Sequence, residues 1–485
     1  MFHLFASEVA AFASMVLFVL MYGVFYFFDI GWAREPTAVD VFVLICSCIF
    51  ACRTAAKGKV CQWPSGVDFT NRVALVVGAT SGVGYSTAMQ LAEHGWTVVL
   101  AARNIDRLLF SKKAIDRYLQ RCNAKGSVKV LGTVDLRSDA SIRAYVKDLA
   151  AVKAQLPVGL LIMAAGAMHR HLHFVGELEE LRIGKASVAA SSTAWRSIEC
   201  MIAANAVGPY LFTQLMLPLL DETAERTSVT SRIVNVASSC HTFLGPGRQA
   251  RYSPVEMIHG LDERAAEVLP GDGSGEAKKG KTARGPYYIR DYSWASFVGY
   301  YGLSKLCVMW NTRLLARQVA TMRFIEKTAA KTPALRKPTT NPSPTDPAQN
   351  ITATPETARQ DQLKIFVACT HPGIITTYLY RDIFAPWMLD YLLYYPSLVF
   401  GKTWFESAQS TLKAAVEDTG MVQGGYYLCS GEYGPESGVN CVSAHTQSLT
   451  NMEEYRKWLM ARVVPALKPE SSDTGTRNQD EAFLH

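Results

Sequence analysis

Apolar positions along this chain fall into two kinds of run. From Arg72 onward, short β-branched runs alternate with longer stretches in which apolar residues recur at three- and four-residue intervals. The first kind reads as strands buried on both faces, the second as amphipathic helices. Arg72–Val77, Thr97–Ala102, Val128–Val134, Gly159–Ala164, Arg232–Ala237 and Lys364–Thr370 are the predicted strands. Between them, helices are predicted over Gly84–His94, Ile105–Cys122, Ser141–Val152, Trp195–Leu220 and Tyr300–Phe324. Strands and helices alternating at this spacing predict an α/β fold with a doubly wound parallel sheet.

The first sixty residues follow a different pattern. Val9–Phe28 carries no charge and is rich in Phe, Val, Leu and Met. At about 1.5 Å per residue it spans a roughly 30 Å hydrocarbon core. It lacks a basic n-region and an obvious small-residue cleavage site, so a membrane anchor is expected rather than a signal peptide. A second apolar run, Val41–Cys52, is too short to cross alone, which leaves re-entrant, interfacial and hairpin readings open. Arg53, Lys57 and Lys59 follow it and favour the cytosolic side.

Two further stretches break the strand–helix rhythm. The first, about 242–298, contains the Gly/Lys-rich Gly271–Gly285. The second, about 327–362, is rich in Pro, Thr, Ala and Asn. Both read as insertions, the second as disordered. The expected organisation is an anchor over 1–60, a catalytic domain over 70–430 and a C-terminal extension over 431–485 with a loose end.

Composition narrows the classes. An apolar share of 49% and a charged share of 19% exclude a wholly disordered chain. A net charge of +7 over 485 residues demands no nucleic-acid partner and suits a surface beside anionic lipid. Eleven cysteines without a CxxC pair read as reduced thiols on the cytosolic side.

The chemistry starts at Gly78-Ala79-Thr80-Ser81-Gly82-Val83-Gly84, which follows a strand and opens a helix. Glycines there let the backbone approach a pyrophosphate, and the helix N-terminus offers N–H groups and positive dipole. The second strand ends on Ala101-Ala102-Arg103 rather than on a carboxylate. Arg103 suits a 2′-phosphate, which favours NADP(H) over NAD(H), with NAD(H) the alternative. Asp135, expected at the end of the third strand, is placed to accept a bond from an adenine amino group. Tyr301 and Lys305 stand one helical turn apart, so both project from one face. An ammonium beside a phenol favours the phenolate, and such a tyrosine moves a proton to or from a carbonyl oxygen. Ser238, at a strand end, is placed to hold the same oxygen, with Ser239 its rival. Asn205 is expected to steady the lysine through backbone and water.

In this order the glycine turn, Asp135, Asn205, Ser238 and Tyr301/Lys305 resemble the short-chain dehydrogenase/reductase family, whose fold is the Rossmann fold. His371-Pro372-Gly373 with Thr377 resembles the loop that closes over the nicotinamide in that family. The resemblance covers about Arg72–Cys429 without the two insertions. It implies catalytic roles for Tyr301 (acid/base), Lys305 (pKa lowering and ribose binding), Ser238 (carbonyl polarisation) and Asn205 (proton relay). It implies cofactor contacts at Gly78, Thr80, Ser81, Gly82, Val83, Gly84, Arg103, Asp135, Leu136, Ala165, Gly166, Tyr301, Lys305, Pro372, Gly373, Ile375 and Thr377.

The chain departs from the family pattern in three places. Val77 stands where the family has Thr. Met163-Ala164-Ala165-Gly166 replaces Asn-Asn-Ala-Gly. Ser238 and Tyr301 lie much further apart than is usual. Within the family, Gly84-Tyr85-Ser86-Thr87-Ala88, His371–Tyr380 and Gly424–Leu428 are most similar to the retinol-dehydrogenase-like branch, and within it to polyprenol-dehydrogenase-like members.

That resemblance implies a membrane-linked enzyme of the endoplasmic reticulum or lipid droplet, its catalytic domain in the cytosol. Its substrates would be hydrophobic alcohols, aldehydes or ketones, with long isoprenoids first and retinoids and sterols next. The implied partners are that substrate and the bilayer, with no nucleic acid, and a homodimer by analogy. The alternative is a catalytically silent member kept as a nucleotide-binding or membrane scaffold protein. Phe384–Phe400, rich in Leu, Tyr and Trp, reads either as an apolar mouth near the bilayer or as core helix. Other readings are weaker. His169, His171 and His173 alternate as metal ligands do, but with no carboxylate or thiol partner evident no metal site is expected. Lys278, Lys279, Lys281 and Arg284 fit a solvated loop or an anionic-lipid contact, and Cys46, Cys48 and Cys52 fit membrane packing or acylation.

Overall fold

The computed structural model describes residues 38–177, 193–244, 253–269, 294–331, 364–417, 423–427, 433–434 and 444–467, apart from 376, 386, 394 and 398–400. The expected anchor Val9–Phe28, the basic run 278–284 and the tail beyond 467 lie outside the described residues.

The strands are β1 (Val73–Val77), β2 (Thr97–Ala101), β3 (Ser127–Val130), β4 (Val158–Met163), β5 (Ser231–Val236), β6 (Ile365–Thr370), β7 (Gly425–Tyr427) and β8 (Tyr433–Gly434). They form one sheet in the order β3-β2-β1-β4-β5-β6-β7-β8. All neighbours pair parallel except β7 and β8, which pair antiparallel. The central strands are apolar on both faces because helices cover both: every residue of β1 and of β6 is buried. The predicted doubly wound α/β class is therefore the observed one.

On one face lie α2 (Gly82–Glu93) and α3 (Ile105–Cys122), whose buried Leu91, Leu108 and Ile115 meet Val98 and Leu100 of β2. The other face is covered by α4 (Asp139–Ala151), α5 (Gly208–Thr227) and α7 (Trp294–Lys331), which bring Ile142, Leu211 and Leu306 to Leu75 and Leu161. The N-terminal helix α1 spans Ala38–Lys57 and contains the apolar run Val41–Cys52. Phe42, Ile45, Ile49 and Phe50 on it are exposed. Among the described residues, the helical stretch long and apolar enough to cross a bilayer is Cys200–Thr227, and it is buried in the core of the domain.

The structure corrects several expectations. The third strand stops at Val130, not Val134, so Asp135 stands in the loop before α4 rather than at a strand end. As an edge strand, β3 has β2 as its partner, and their register runs out at Val130. The helix expected over Trp195–Leu220 is broken into Thr193–Arg196, Cys200–Ile202, a π turn at Ala203–Val207 and α5. The helix expected at Tyr300 starts at Trp294 and runs to Lys331, so both insertions give up residues to it. Inside the first insertion, α6 (Pro254–Val268) buries Val255, Ile258 and Leu261 in the main core. The C-terminal extension is structured over α9 (Leu449–Leu467), where Tyr455 is fully buried and donates to Asn311 at 3.0 Å. Between β6 and β7, α8 (Gln409–Val416) closes the first face.

Candidate functional site

Strand order reverses between β1 and β4, and in a sheet of this kind the crevice beyond the carboxyl ends of the strands is the place for a ligand. A cavity of about 790 Å³ lies there. Its wall takes every residue singled out from the sequence as catalytic or cofactor-binding except Gly84 and Asn205.

At the glycine turn, the Gly78 N–H donates to Ala101 O at 2.7 Å and its φ is +93°. A Cβ at Gly78 would stand 2.5 Å from Ala165 N, so only glycine lets the ends of β1 and β4 approach this closely. Gly84 is not in the wall. It packs against the Gly78 carbonyl, so its role is to bring α2 against β1. The first N–H groups of α2 have no helical partner. Ser81, Gly82 and Val83 bring that end of the helix to the cavity, and the Ser81 side chain makes no capping bond.

One end of the cavity is rich in arginine: Arg103 and Arg137 act on Asp135 in its wall, and Arg107 lies one turn from Arg103. Asp135 Oδ1 accepts from Arg137 Nε at 3.0 Å and Oδ2 from Arg137 Nη2 at 2.7 Å. Burial alone would raise this carboxyl, but the hydrogen bonds and charge of Arg137, with Arg103 nearby, hold it at about 2. Both oxygens thus accept from Arg137, and each keeps a lone pair on the cavity side of the pair, where Asp135 is part of the wall. Arg137 is fixed further by Trp195, whose indole N–H donates to its carbonyl at 2.6 Å.

The other end is dry. Tyr301 and Lys305 are buried on α7, and Ser238 follows β5. Lys305 Nζ donates to Val236 O at 2.9 Å and lies 5.7 Å from the Tyr301 ring centroid. Burial lowers Lys305 to about 8. Burial raises the Tyr301 phenol well above its ordinary value, helped by Cys240 and Tyr380, while a hydrogen bond with Ser238 works downward. Without a ligand in the cavity, burial thus outweighs any lowering of Tyr301 by its neighbours. Between the two serines the geometry is decisive: Ser238 is in the cavity wall, whereas Ser239 is buried outside it with its N–H on His371 Nδ1 at 3.4 Å.

Asn205, in the π turn, bonds directly to the loop after β4 and to Ser304, while Lys305 bonds to Val236 O. Asn205 Oδ1 accepts from Ala167 N at 2.6 Å, and its Nδ2 donates to Ala167 O at 2.9 Å and to Ser304 Oγ at 2.9 Å. Ser304 Oγ in turn donates to Tyr301 O at 2.8 Å. Asn205 thus clamps the loop after β4 to the Tyr301 turn. A Cβ on Gly166 would stand 3.8 Å from Lys305 Nζ and 3.9 Å from Asn205 Oδ1, so that glycine fills the gap between them.

Several wall residues were not singled out from the sequence. Arg107 follows Arg103 by one turn at the start of α3, a signal the spacing carried. Cys240 lies two residues past Ser238, and it raises Tyr301 and Tyr380. Leu379, Ile383 and Phe384 give the dry end an apolar side. The segment 384–400 divides: Phe384 is in the wall, while Trp387, Tyr391 and Tyr395 are exposed. Among the described residues no trio of His, Cys, Asp and Glu is placed to hold a metal. His169 bonds Asp382 instead, at 2.9 Å, and His171 packs edge-on to His173.

Residues 72–254 match the family model described as short chain dehydrogenase. Retinol dehydrogenase 11 of Mus musculus is 33% identical to the chain over 189 residues, 39% of this chain and 49% of that protein. Dehydrogenase/reductase SDR family member 13 of Bos taurus is 29% identical over 170 residues, 35% of this chain and 36% of its own length. The chain thus spans about half the length, or less, of these curated relatives. Salutaridine reductase of Papaver somniferum superimposes with a TM-score of 0.42 at 17% identity, over 74% of this chain and 99% of that one.

Proposed function

We propose that this chain, whose residues 72–254 match the short chain dehydrogenase model, is a member of the short-chain dehydrogenase/reductase family, a membrane-anchored oxidoreductase that interconverts a hydrophobic alcohol and its aldehyde or ketone with NADP(H). The observation that carries the reading is one cavity with Tyr301, Ser238 and Lys305 at its dry end and Arg103, Arg107 and Arg137 about Asp135 at the other.

The cavity fits a dinucleotide phosphate: the turn at Gly78 has no side chain to obstruct it, the start of α2 offers N–H groups, and the arginines suit a 2′-phosphate. Arg103 and Arg107 would hold the adenosine end, Lys305 the nicotinamide ribose, and Pro372, Gly373, Ile375 and Thr377 the nicotinamide side. Bound there, a reduced nicotinamide supplies hydride to the substrate carbon. The chain's own residues do the rest. Ser238 donates to the substrate oxygen, and Tyr301, kept protonated by burial, gives that oxygen its proton. The Lys305 ammonium stabilises the phenolate that remains.

The substrate is taken to be a long isoprenoid first, then a retinoid or a sterol. Leu379, Ile383 and Phe384 in the wall and the exposed Trp387, Tyr391 and Tyr395 beyond it support a greasy ligand. So does the likeness to the murine relative, a retinol dehydrogenase. The exposed apolar side of α1, followed by Arg53, Lys57 and Lys59, supports an interfacial seat at an anionic bilayer.

The test is turnover by the detergent-solubilised full chain of a polyprenal, retinal, a 3-ketosteroid and a short aldehyde, with NADPH and with NADH. Reduction of the isoprenal, faster with NADPH and lower by about 10²- to 10⁴-fold in Tyr301→Phe, is expected. Faster turnover of retinal or the steroid would replace the substrate assignment and keep the chemistry. A second reading, a silent nucleotide-binding member, draws on Lys305 being engaged by Val236 O rather than by the phenol. Tight NADPH binding with no turnover of any of the four would favour it.

A further inference from the structure

One buried cation outside the proposed chemistry touches both the N-terminal helix and the cavity wall. Lys402 is only 3% exposed. Its Nζ donates at 2.7 Å to the carbonyl of Lys57, the last residue of α1. A helix C-terminus has carbonyls without helical partners and the negative end of the dipole, so an ammonium is well placed there. The stem of the same side chain lies across the loop after β6. A Cβ on Gly373, whose φ is +86°, would stand 2.7 Å from Lys402 Cδ and 2.8 Å from Cε. The Lys402 N–H also donates to Ile374 O at 2.8 Å. Pro372, Gly373, Ile375 and Thr377 of that loop are in the cavity wall.

A second tie runs beside the first. Arg53 of α1 forms an ion pair with Glu406 and donates to Gly401 O at 3.1 Å. Glu406 is the acidic member of a capping box with Thr403. Burial would raise its carboxyl, but the Arg53 and Thr403 hydrogen bonds bring it below its ordinary value. The strap Gly401–Glu406 is thus held by α1 on one side and by the cavity loop on the other.

We infer that Lys402 is a positioning residue that couples the docking of α1 to the loop Pro372–Thr377. With α1 seated, the Lys402 stem is pinned over Gly373 and the loop is held in the wall. With α1 displaced, the ammonium loses the Lys57 carbonyl and the loop loses its backing. Occupancy of the cavity is in this way tied to the seating of the apolar N-terminal helix. The inference deepens the proposed function and rests on it only for the identity of the ligand.

The experiment uses the full chain in detergent micelles and the variants Lys402→Met, Lys402→Arg, Arg53→Met and the double variant Lys402→Met/Arg53→Met. Amide hydrogen exchange over 371–378 is measured without added nucleotide, alongside thermal unfolding and NADPH affinity by fluorescence. Lys402→Met keeps the stem and removes the ammonium. It is expected to speed exchange in this loop about tenfold, as expected for one lost charge-assisted hydrogen bond, while exchange in β1 and β5 stays at wild-type rates. Lys402→Arg should restore protection. Arg53→Met, which has no atom in the cavity, should act in the same direction, and the double variant should fall short of the product of the two effects. Where NADPH binds, its affinity should fall with kcat little changed. Loop exchange unchanged in Lys402→Met, or effects of the two single variants that multiply independently, would overturn the inference. Wild-type protein that fails to bind NADPH would count against the proposed function, and the exchange result would still decide this inference.

Discussion

The two ends of the cavity obey different electrostatics. At the dry end burial sets every shift: Tyr301 and Tyr380 are pushed up, Lys305 is brought down to about 8, and His241 and His371 behind Ser238 fall to about 4 and about 3. At the arginine end, partner charges outweigh burial. Asp135 sits at about 2, and its hydrogen bonds and charge leave Arg137 above its ordinary value in spite of desolvation. On the proposed reading, one end would serve a group that gives up a proton and the other would hold fixed charge. A polyanion with one reactive ring spans both requirements.

The largest test of that contrast is at Lys305. Lys305→Met is expected to lower kcat for carbonyl reduction by about 10²- to 10⁴-fold with NADPH affinity less affected, read by single-turnover kinetics. In the wild type, Lys305 is charged below about 8 and neutral above it. The reduction rate should therefore fall as pH rises through 8, and a rate flat from pH 7 to 9 would break the assignment. At the other end, Arg103→Ala should raise KM for NADPH about tenfold and leave NADH unchanged, as expected for one lost charge-assisted bond to a phosphate. Equal losses with both cofactors would remove Arg103 from 2′-phosphate recognition.

The smallest effect concerns stability. The folded pKa of Asp135 lies below that of an unfolded aspartate, so its contribution is present above pH about 4 and is lost as pH falls through about 2. The unfolding free energy from denaturant titrations should drop over that window by on the order of 2 kcal/mol, and Asp135→Asn should flatten the drop. A variant with the wild-type acid profile would show that the pair adds nothing.

How much of this was legible in the sequence depends on what holds each element. The central strands stand out because two covered faces demand unbroken apolar runs, and β1, β2, β4, β5 and β6 lie within about a residue of the pattern. The edge strands are obscured. The apolar pattern of β3 runs on to Val134 although its partner register ends at Val130, and β7 is only three residues long. The break at Ala203–Val207 does have a sequence mark, Gly208-Pro209, whose proline offers no N–H to the Asn205 carbonyl, but the apolar period runs across it and hides it. The break is also set by tertiary bonds, with Asn205 clamping Ala167 and Ser304. At the site, the glycine turn, Ser238 and the Tyr301/Lys305 pair are local patterns and were readable. That Arg137 occupies Asp135, and that Lys402 backs Gly373, follows from loops meeting in space, which no spacing encodes.

The strand order also has a consequence in time. From β4 onward each strand is added beside the one before it, so the sheet extends outward as the chain leaves the ribosome. Ile365 follows Val236 by 129 positions (365 − 236), so the open edge of β5 must wait for β6. At about 5–20 residues per second that wait is roughly 6 to 26 s. Through that interval β5, with Ile233, Val234 and Val236 among its residues, offers unpaired N–H and C=O groups along its free side. The long connection thus makes protection of the nascent β5 edge a requirement separate from the stability of the finished domain.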